Sequence, residues 1–255
     1  MPGEASSTQK ARTAAERAIA LDDKVAEAHT SLAGLLHRSD ADVKGAEREF
    51  TRAIDLNASY ATAHQWFAIL LAEEGRDQEA MTHAKRAVAL DPLAAPMYQT
   101  LALVHYYGRR YEEVITAARR ALDSAPQLPL ARDLVARSNI AKGTPDAAAA
   151  AAPADSADGR ATAGLALLMS GDQARASAVL AQLNAQRPRP DAALARWHAA
   201  AGNRDRALDS LGALVARNPA GLQPLKNDPL LDSVRADPRF EALLRRAAAR
   251  RESKS

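Results

Sequence analysis

The chain has 255 residues, of which 47% are hydrophobic and only 4% aromatic, and it contains no cysteine. The lack of cysteine excludes disulfides, thiolate nucleophiles and cysteine-ligated metal sites. Lys and Arg number 34 against 31 Asp and Glu, a net charge of +3. Because opposite charges are interleaved, this balance does not indicate a nucleic-acid binder. With no apolar run long enough for a membrane span or signal peptide, we expect a complete chain of this sequence to be cytoplasmic.

Four similar segments recur at nearly constant spacing. Each begins with Ala and continues with an apolar residue and a turn, and the segments start at Ala18, Ala53, Ala87 and Ala121. The spacings are 35, 34 and 34 residues. Large apolar residues followed by Ala keep the same register, at Leu32, Phe67, Leu101 and Val135. The pattern is typical of helix pairs that cross closely, with Ala where the backbones approach.

This repeat resembles the tetratricopeptide repeat (TPR), whose period is about 34 residues. The resemblance implies an all-α fold, a right-handed superhelical solenoid of antiparallel helix pairs with a capping C-terminal helical segment. Asp23 and Ala58 depart from the pattern, because Pro92 and Pro126 close the later units at this position. The first full unit has one extra residue, which we place near 39–43.

Turn residues set the expected helix boundaries. Gly75 ends one helix, and the residue before Pro92 or Pro126 ends another, because proline disfavours a helical conformation in the residue before it. With the repeat register, these signals predict helices at about 8–21, 25–38, 42–55, 59–74, 78–90, 94–107, 111–123 and 128–142.

The register breaks after Gly143, which divides the chain. The regular TPR array spans 8–143, and a break of short helix and loop follows at 144–160. Degenerate TPR-like helix pairs resume at 161–217. Residues 218–250 are predicted to form capping helices, and 251–255 a disordered tail.

Two Asp-Pro dipeptides, Asp228-Pro229 and Asp237-Pro238, mark helix starts in the capping region, since Asp suits the N-cap and Pro the first helical position. The ending DPLLDSVRADPRFEALLRR is similar to one TPR subfamily. That subfamily forms the C-terminal part of bacterial winged-helix transcriptional regulators, Ser/Thr kinases and adenylate cyclases. The resemblance implies a partner-binding or sensing module without its effector domain.

The TPR resemblance also implies where a partner binds, because first helices of TPR pairs line a groove. The register places nine residues on this surface: Thr30, His37, Gln65, Ile69, Gln99, Leu103, Tyr106, Asp133 and Arg137. The amides of Gln65 and Gln99, at one repeat position, could bond a peptide backbone, while Ile69, Leu103 and Tyr106 could form apolar pockets. The alternative for each is contact with a neighbouring helix or solvent. Some TPR domains have Lys where Thr30, Gln65 and Gln99 stand, so we do not expect capture of chaperone C-termini.

Other chemistries have no motif in the sequence. No two of the six histidines lie four residues apart, and His29 and His64 occupy equivalent interior positions, so packing explains them better than a metal. No P-loop, GxGxxG or GxSxG is present, so we predict neither an enzyme nor a cofactor. The predicted function is binding of a peptide or protein segment in the groove. The alternatives are a regulatory or sensor module of a bacterial signalling protein and, less favoured, nucleic-acid binding through the basic C-terminus.

Overall fold

The structure, a computed structural model, describes residues 2–40 and 42–252. The chain divides into two compact units, Met1–Leu93 and Ala94–Ser255. All regular structure in the described ranges is helical, as the repeat pattern predicts. Within the same ranges, no helix is both long and apolar enough to cross a bilayer.

The first unit consists of five α-helices. They are α1 (Pro2–Leu21), α2 (Ala26–Leu35), α3 (Val43–Leu56), α4 (Ala61–Glu73) and α5 (Asp77–Leu90). Each first helix packs against the second helix that follows it, α2 on α3 and α4 on α5. The predicted boundaries are confirmed to within two residues with two exceptions: α1 begins at Pro2 and not near residue 8, and α2 ends at Leu35 and not near residue 38.

A π-helical turn, Leu36–Asp40, continues α2. Single π turns occur inside or at the end of α-helices, where they accommodate an extra residue. The repeat that contains this turn is the one with an additional residue, so the insertion widens the end of a first helix.

The second unit continues with helix pairs and then a non-repeating C-terminal part. Its paired helices are α6 (Ala95–Tyr107), α7 (Tyr111–Ser124), α8 (Pro129–Ala141), α9 (Pro145–Ala151), α10 (Ala157–Met169), α11 (Gln173–Ala185), α12 (Asp191–Ala200) and α13 (Arg204–Arg217). The predicted break at 144–160 contains α9, seven residues long, and the start of α10.

Burial follows the repeat register in both units. The Ala that succeeds the large apolar residue of each first helix has no exposed surface, and neither do the small residues facing it from the second helices. The first-helix set is Ala33, Ala68, Ala102 and Ala136, and the second-helix set is Ala46, Ala53, Ala80, Ala87 and Ala121. Small side chains therefore stand where the helices approach most closely.

A glycine covered by tryptophan brings consecutive first helices together in each unit. Trp66 of α4 lies over Gly34 of α2, and a Cβ atom built on Gly34 would be 2.8 Å from the indole. Trp197 of α12 lies over Gly164 of α10, where the corresponding distance is 2.2 Å. No larger residue fits beneath either ring without displacing it.

The helix-ending position is left-handed in several repeats. Gly75, Gly143, Gly171 and Gly202 have φ between 73° and 83°, which glycine adopts without strain. Arg109, at the position equivalent to Gly75 and Gly143, has φ 59°. A left-handed conformation costs a residue with a Cβ about 1–2 kcal/mol.

The C-terminal segment, residues 219–235, contains two 3₁₀ helices and one short α-helix. These are Pro219–Leu225, Pro229–Leu231 and α14 (Asp232–Arg235), and α15 (Pro238–Glu252) follows. Leu222, Leu225 and Phe240 join a core that includes Leu211 and Leu214 of α13. This part thus covers the last helix pair, and α15 extends through 251–252, where we predicted the tail to begin. Residues 253–255 of that tail lie outside the described ranges.

Candidate functional site

Four predicted groove residues lie in the first unit, and their environments differ. Thr30 is buried and its hydroxyl donates to the Ala26 carbonyl, 2.9 Å away. The buried His37 Nε2 lies 2.9 Å from Glu73 Oε2. Gln65 is 9% exposed, whereas Ile69 is half-buried. Of the four, Ile69 has the most accessible apolar surface.

Histidines at one repeat position make the same backbone contact in the first unit. The Nε2 atoms of His29 and His64 lie 3.1 and 3.3 Å from backbone carbonyls six residues earlier. Their Nδ1 atoms differ in partner: His29 meets Glu49 Oε2 at 2.6 Å, and His64 meets His83 Nδ1 at 2.9 Å. Packing and local hydrogen bonds therefore account for both rings.

The two rings of the His64–His83 pair resist protonation. Burial lowers the pKa of His64, and burial together with the neighbouring His64 lowers the pKa of His83 to about 4. Among the residues that the structure describes, no group of three or more His, Asp or Glu side chains is arranged to hold a metal ion.

In the second unit, three predicted groove residues converge and two do not. Gln99 and Leu103 on α6 are half-buried. Tyr106, Asp133 and Arg137 are at most 5% exposed, and they belong to one polar cluster. The structure brings Tyr106, Asp133 and Arg137 together, and the contacts they make are with the chain itself.

The cluster surrounds Asp228 of the C-terminal segment, which is 1% exposed. Its Oδ1 accepts hydrogen bonds from the Tyr106 hydroxyl at 2.8 Å and the Leu230 amide at 3.0 Å. Its Oδ2 accepts from Arg196 Nε at 2.6 Å and lies 3.7 Å from Arg137 Nη1. A buried carboxylate requires such saturation, because losing its hydration is costly.

The two arginines join the first helices of the second unit to one another. Arg196 on α12 also donates to Asp158 on α10, at 2.7 Å. Arg137 forms an ion pair with Asp133 on α8, and Asp133 Oδ1 accepts from Thr162 of α10 at 3.2 Å. We call Tyr106, Asp133, Arg137, Asp158, Arg196 and Asp228 the arginine–aspartate cluster.

The cluster's electrostatics keep Asp228 ionised. Burial by itself raises the pKa of Asp228, but Arg196 and Arg137 outweigh burial and hold it below the usual value. Asp158 follows the same pattern. Burial raises the pKa of Asp133 despite the opposing effect of Arg137. Burial and the Asp228 charge raise the pKa of Tyr106, so its hydroxyl remains a donor.

Contacts at the edge of the cluster hold the rest of the C-terminal segment. Tyr107 donates its hydroxyl to the Pro224 carbonyl at 2.7 Å. Arg109 donates from Nε to Asp232 Oδ2 at 2.9 Å, with a second, shorter bond to the other oxygen. The segment is therefore held by two carboxylates four residues apart and by one carbonyl.

Sequence reasoning read Asp228 only as a helix cap, a role it does fill for Leu230. It missed Asp158, Arg196 and the contact of Asp228 with Tyr106, 122 residues away. The available signal was the placement of Arg137 on the helix face that the repeat register assigns to the groove.

In fold, the chain is similar to solved TPR structures. A TPR protein from Parabacteroides merdae ATCC 43184 matches with a TM-score of 0.65 and 14% identity, over 96% of this chain and 93% of the other. PilW, a type IV pilus biogenesis factor, gives 0.63 and 19% over 72% and 88%. Pseudomonas aeruginosa PilF gives 0.56 and 19% over 80% and 96%. The chain thus has the fold of a TPR protein.

No protein-family model matches the sequence. The curated proteins likewise include no match.

Proposed function

We propose that this chain is a non-enzymatic protein-interaction module that binds a peptide or protein segment on the faces of its first helices. The observation that carries the proposal is internal to the second unit. There, the faces of α6, α8 and α12 hold a segment of the chain itself through Asp228, Asp232 and the Pro224 carbonyl. This internal contact supports the proposal, because side chains on these helix faces already hold one polypeptide segment of the chain.

Ile69 and Leu103 are the residues best suited to meet a partner. They occupy one repeat position, 34 residues apart, on α4 and α6, and both are half-buried. An apolar side chain that keeps accessible surface beside a polar rim is typical of an interaction site. Gln65 and Gln99, also at one repeat position, stand four residues before them. We assign a partner contact on the first unit to Gln65 and Ile69 and a partner contact on the second unit to Gln99 and Leu103, and we place the protein in the cytoplasm.

Affinity capture from a native lysate, followed by mass spectrometry, tests the proposal. We expect the double variant Ile69→Glu/Leu103→Glu to lose the captured partner, because a charge would be buried at the proposed contact of each unit. Thr82→Glu/Thr116→Glu provides the matched control, since both threonines are exposed on second helices. Equal capture by the two double variants, with unchanged circular dichroism, would overturn the assignment.

A regulatory role within a bacterial signalling protein is the second candidate. Its support is the ending DPLLDSVRADPRFEALLRR, which resembles the repeat modules of such proteins. This role requires an effector domain, encoded with the chain or beside it. A gene neighbourhood without a regulator, kinase or cyclase would count against it.

A further inference from the structure

The face of the second unit that α6, α8 and α12 form has a specific recognition chemistry. The C-terminal segment, which lies on this face, shows what that chemistry is. From Pro224 to Asp232, the C-terminal segment presents a carbonyl, a buried carboxylate at Asp228 and a rim carboxylate at Asp232. Between the carboxylates lie Pro229, Leu230 and Leu231, and both leucines are buried. The receiving side chains belong to α6, α8, α12 and the turn after α6.

Each feature of the segment has its own receptor group. Asp228 is contacted by Arg196, Arg137 and Tyr106. Asp232 accepts two hydrogen bonds from Arg109. Charge-assisted bonds of this kind are stronger than neutral ones, and paired bonds from one guanidinium add geometric selectivity. The receptor surface therefore selects an aspartate in its interior and a second acidic residue at its edge.

Resting on the function proposed above, we propose that this surface is a binding site for acidic, leucine-bearing segments with the chemistry of residues 224–232, and that the chain's own copy occupies it in cis. A partner protein that presents such a segment binds only by displacing the internal one. The covalent link gives the internal copy an effective concentration on the order of millimolar. The resident segment is thus a built-in competitor.

The test uses the full chain with a protease recognition sequence inserted directly after Arg217. Cleavage leaves both pieces present but makes the C-terminal piece, which contains Asn218 and all residues after it, exchangeable. A fluorescent synthetic peptide of residues 219–252 is the probe, and its anisotropy is measured with intact and with cleaved protein. We expect binding to the cleaved protein and none to the intact protein.

Two variant peptides show which contact matters. Asp228 and Asp237 both cap a helix through a backbone amide two residues later, but only Asp228 reaches the arginines of the cluster. The D228N peptide should bind the cleaved protein about tenfold or more weakly than the wild-type peptide. The D237N peptide should bind almost normally.

Three results would overturn the proposal: equal binding to intact and cleaved protein, no binding to the cleaved protein, or equal binding of the two variant peptides. Cleavage could also reduce the helical circular dichroism signal. In that case, recovery of the signal with the wild-type and D237N peptides but not with the D228N peptide supports the proposal. Recovery with none of the peptides overturns it. The lysate capture of the proposed function depends on Ile69 and Leu103, which this exchange does not involve. Either proposal can therefore fail alone.

Discussion

The two units bury polar side chains in different ways. In the first unit, the buried polar pairs use histidine: His29 with Glu49, His37 with Glu73 and His64 with His83. In the second unit, the buried polar contacts are those of the arginine–aspartate cluster. Burial and the neighbouring His64 lower the pKa of His83 to about 4, so acid acts against this pair, whereas arginine remains protonated. The difference predicts that acid weakens the first unit through the His64–His83 pair and that the second unit depends most on keeping its charges balanced.

The largest effect should follow from Arg196→Met. This variant leaves three carboxylates of the cluster facing Arg137 alone, and unbalancing a buried ion pair costs about 3–5 kcal/mol. Each unit contains one tryptophan, Trp66 or Trp197, so single-tryptophan variants report the two units separately during urea unfolding. We expect the Trp197 transition to shift to lower urea and the Trp66 transition to remain in place.

The control for that prediction is Arg245→Met on α15. Arg245 pairs with Glu241 at 2.6 Å, and both side chains are more than two-thirds exposed. An exposed pair contributes about 0–1 kcal/mol. If Arg245→Met and Arg196→Met lowered stability equally, the cluster would not be the main electrostatic support of the second unit.

An intermediate loss of stability is expected from the feature that both units share, a glycine beneath a tryptophan ring. Gly164→Ala places a Cβ 2.2 Å from the Trp197 ring, and Gly34→Ala places one 2.8 Å from the Trp66 ring. Overpacking costs about 1–3 kcal/mol, so each variant should destabilise its own unit, and Gly164→Ala should do so more. Urea unfolding followed by circular dichroism measures both.

Gly212→Ala serves as the reference for these glycines. Its Cβ would meet only Leu243, 3.9 Å away, in the middle of α13. Alanine in a helix interior is more favourable than glycine by about 0.5–1 kcal/mol. Destabilisation by Gly212→Ala comparable to that by Gly164→Ala would show that the tryptophan contacts are not the cause.

The smallest effect concerns pH. Because the pKa of His83 is lowered to about 4 in the folded chain, the unfolded chain binds more protons between about 4 and 6.5. The free energy of unfolding therefore falls as the pH drops through this window. His83→Glu gives His64 the carboxylate partner that His29 has in Glu49. It should remove about 1 kcal/mol of this acid sensitivity, allowing for the partial exposure of the ring.

The measurement is urea unfolding of the first unit, followed at Trp66, at pH 7 and pH 5. The reciprocal variant Glu49→His creates a second histidine pair and should increase the loss of stability at pH 5. An unchanged difference between the two pH values in both variants would contradict the role assigned to these pairs.

The repeat register predicts the helix pairs and the fully buried Ala positions, because contacts between neighbouring repeats recur at a fixed spacing. It also places Tyr106, Asp133 and Arg137 on one face. It does not predict what meets them, since Asp228 lies outside the repeats and contacts Tyr106 across 122 positions. A periodic pattern describes contacts between like units, and a segment that occurs once leaves no periodic trace.

Arg109 has two roles: it takes the left-handed backbone position that ends a repeat helix, and its side chain binds Asp232. At this left-handed backbone position glycine would be less strained, but the Arg109 side chain reaches Asp232 and forms two hydrogen bonds with it. The strained backbone after α6 thus accompanies a side chain that attaches the C-terminal segment. An Arg in place of Gly at this repeat position can therefore serve as a sequence signature when other helical-repeat chains are searched for an enclosed tail.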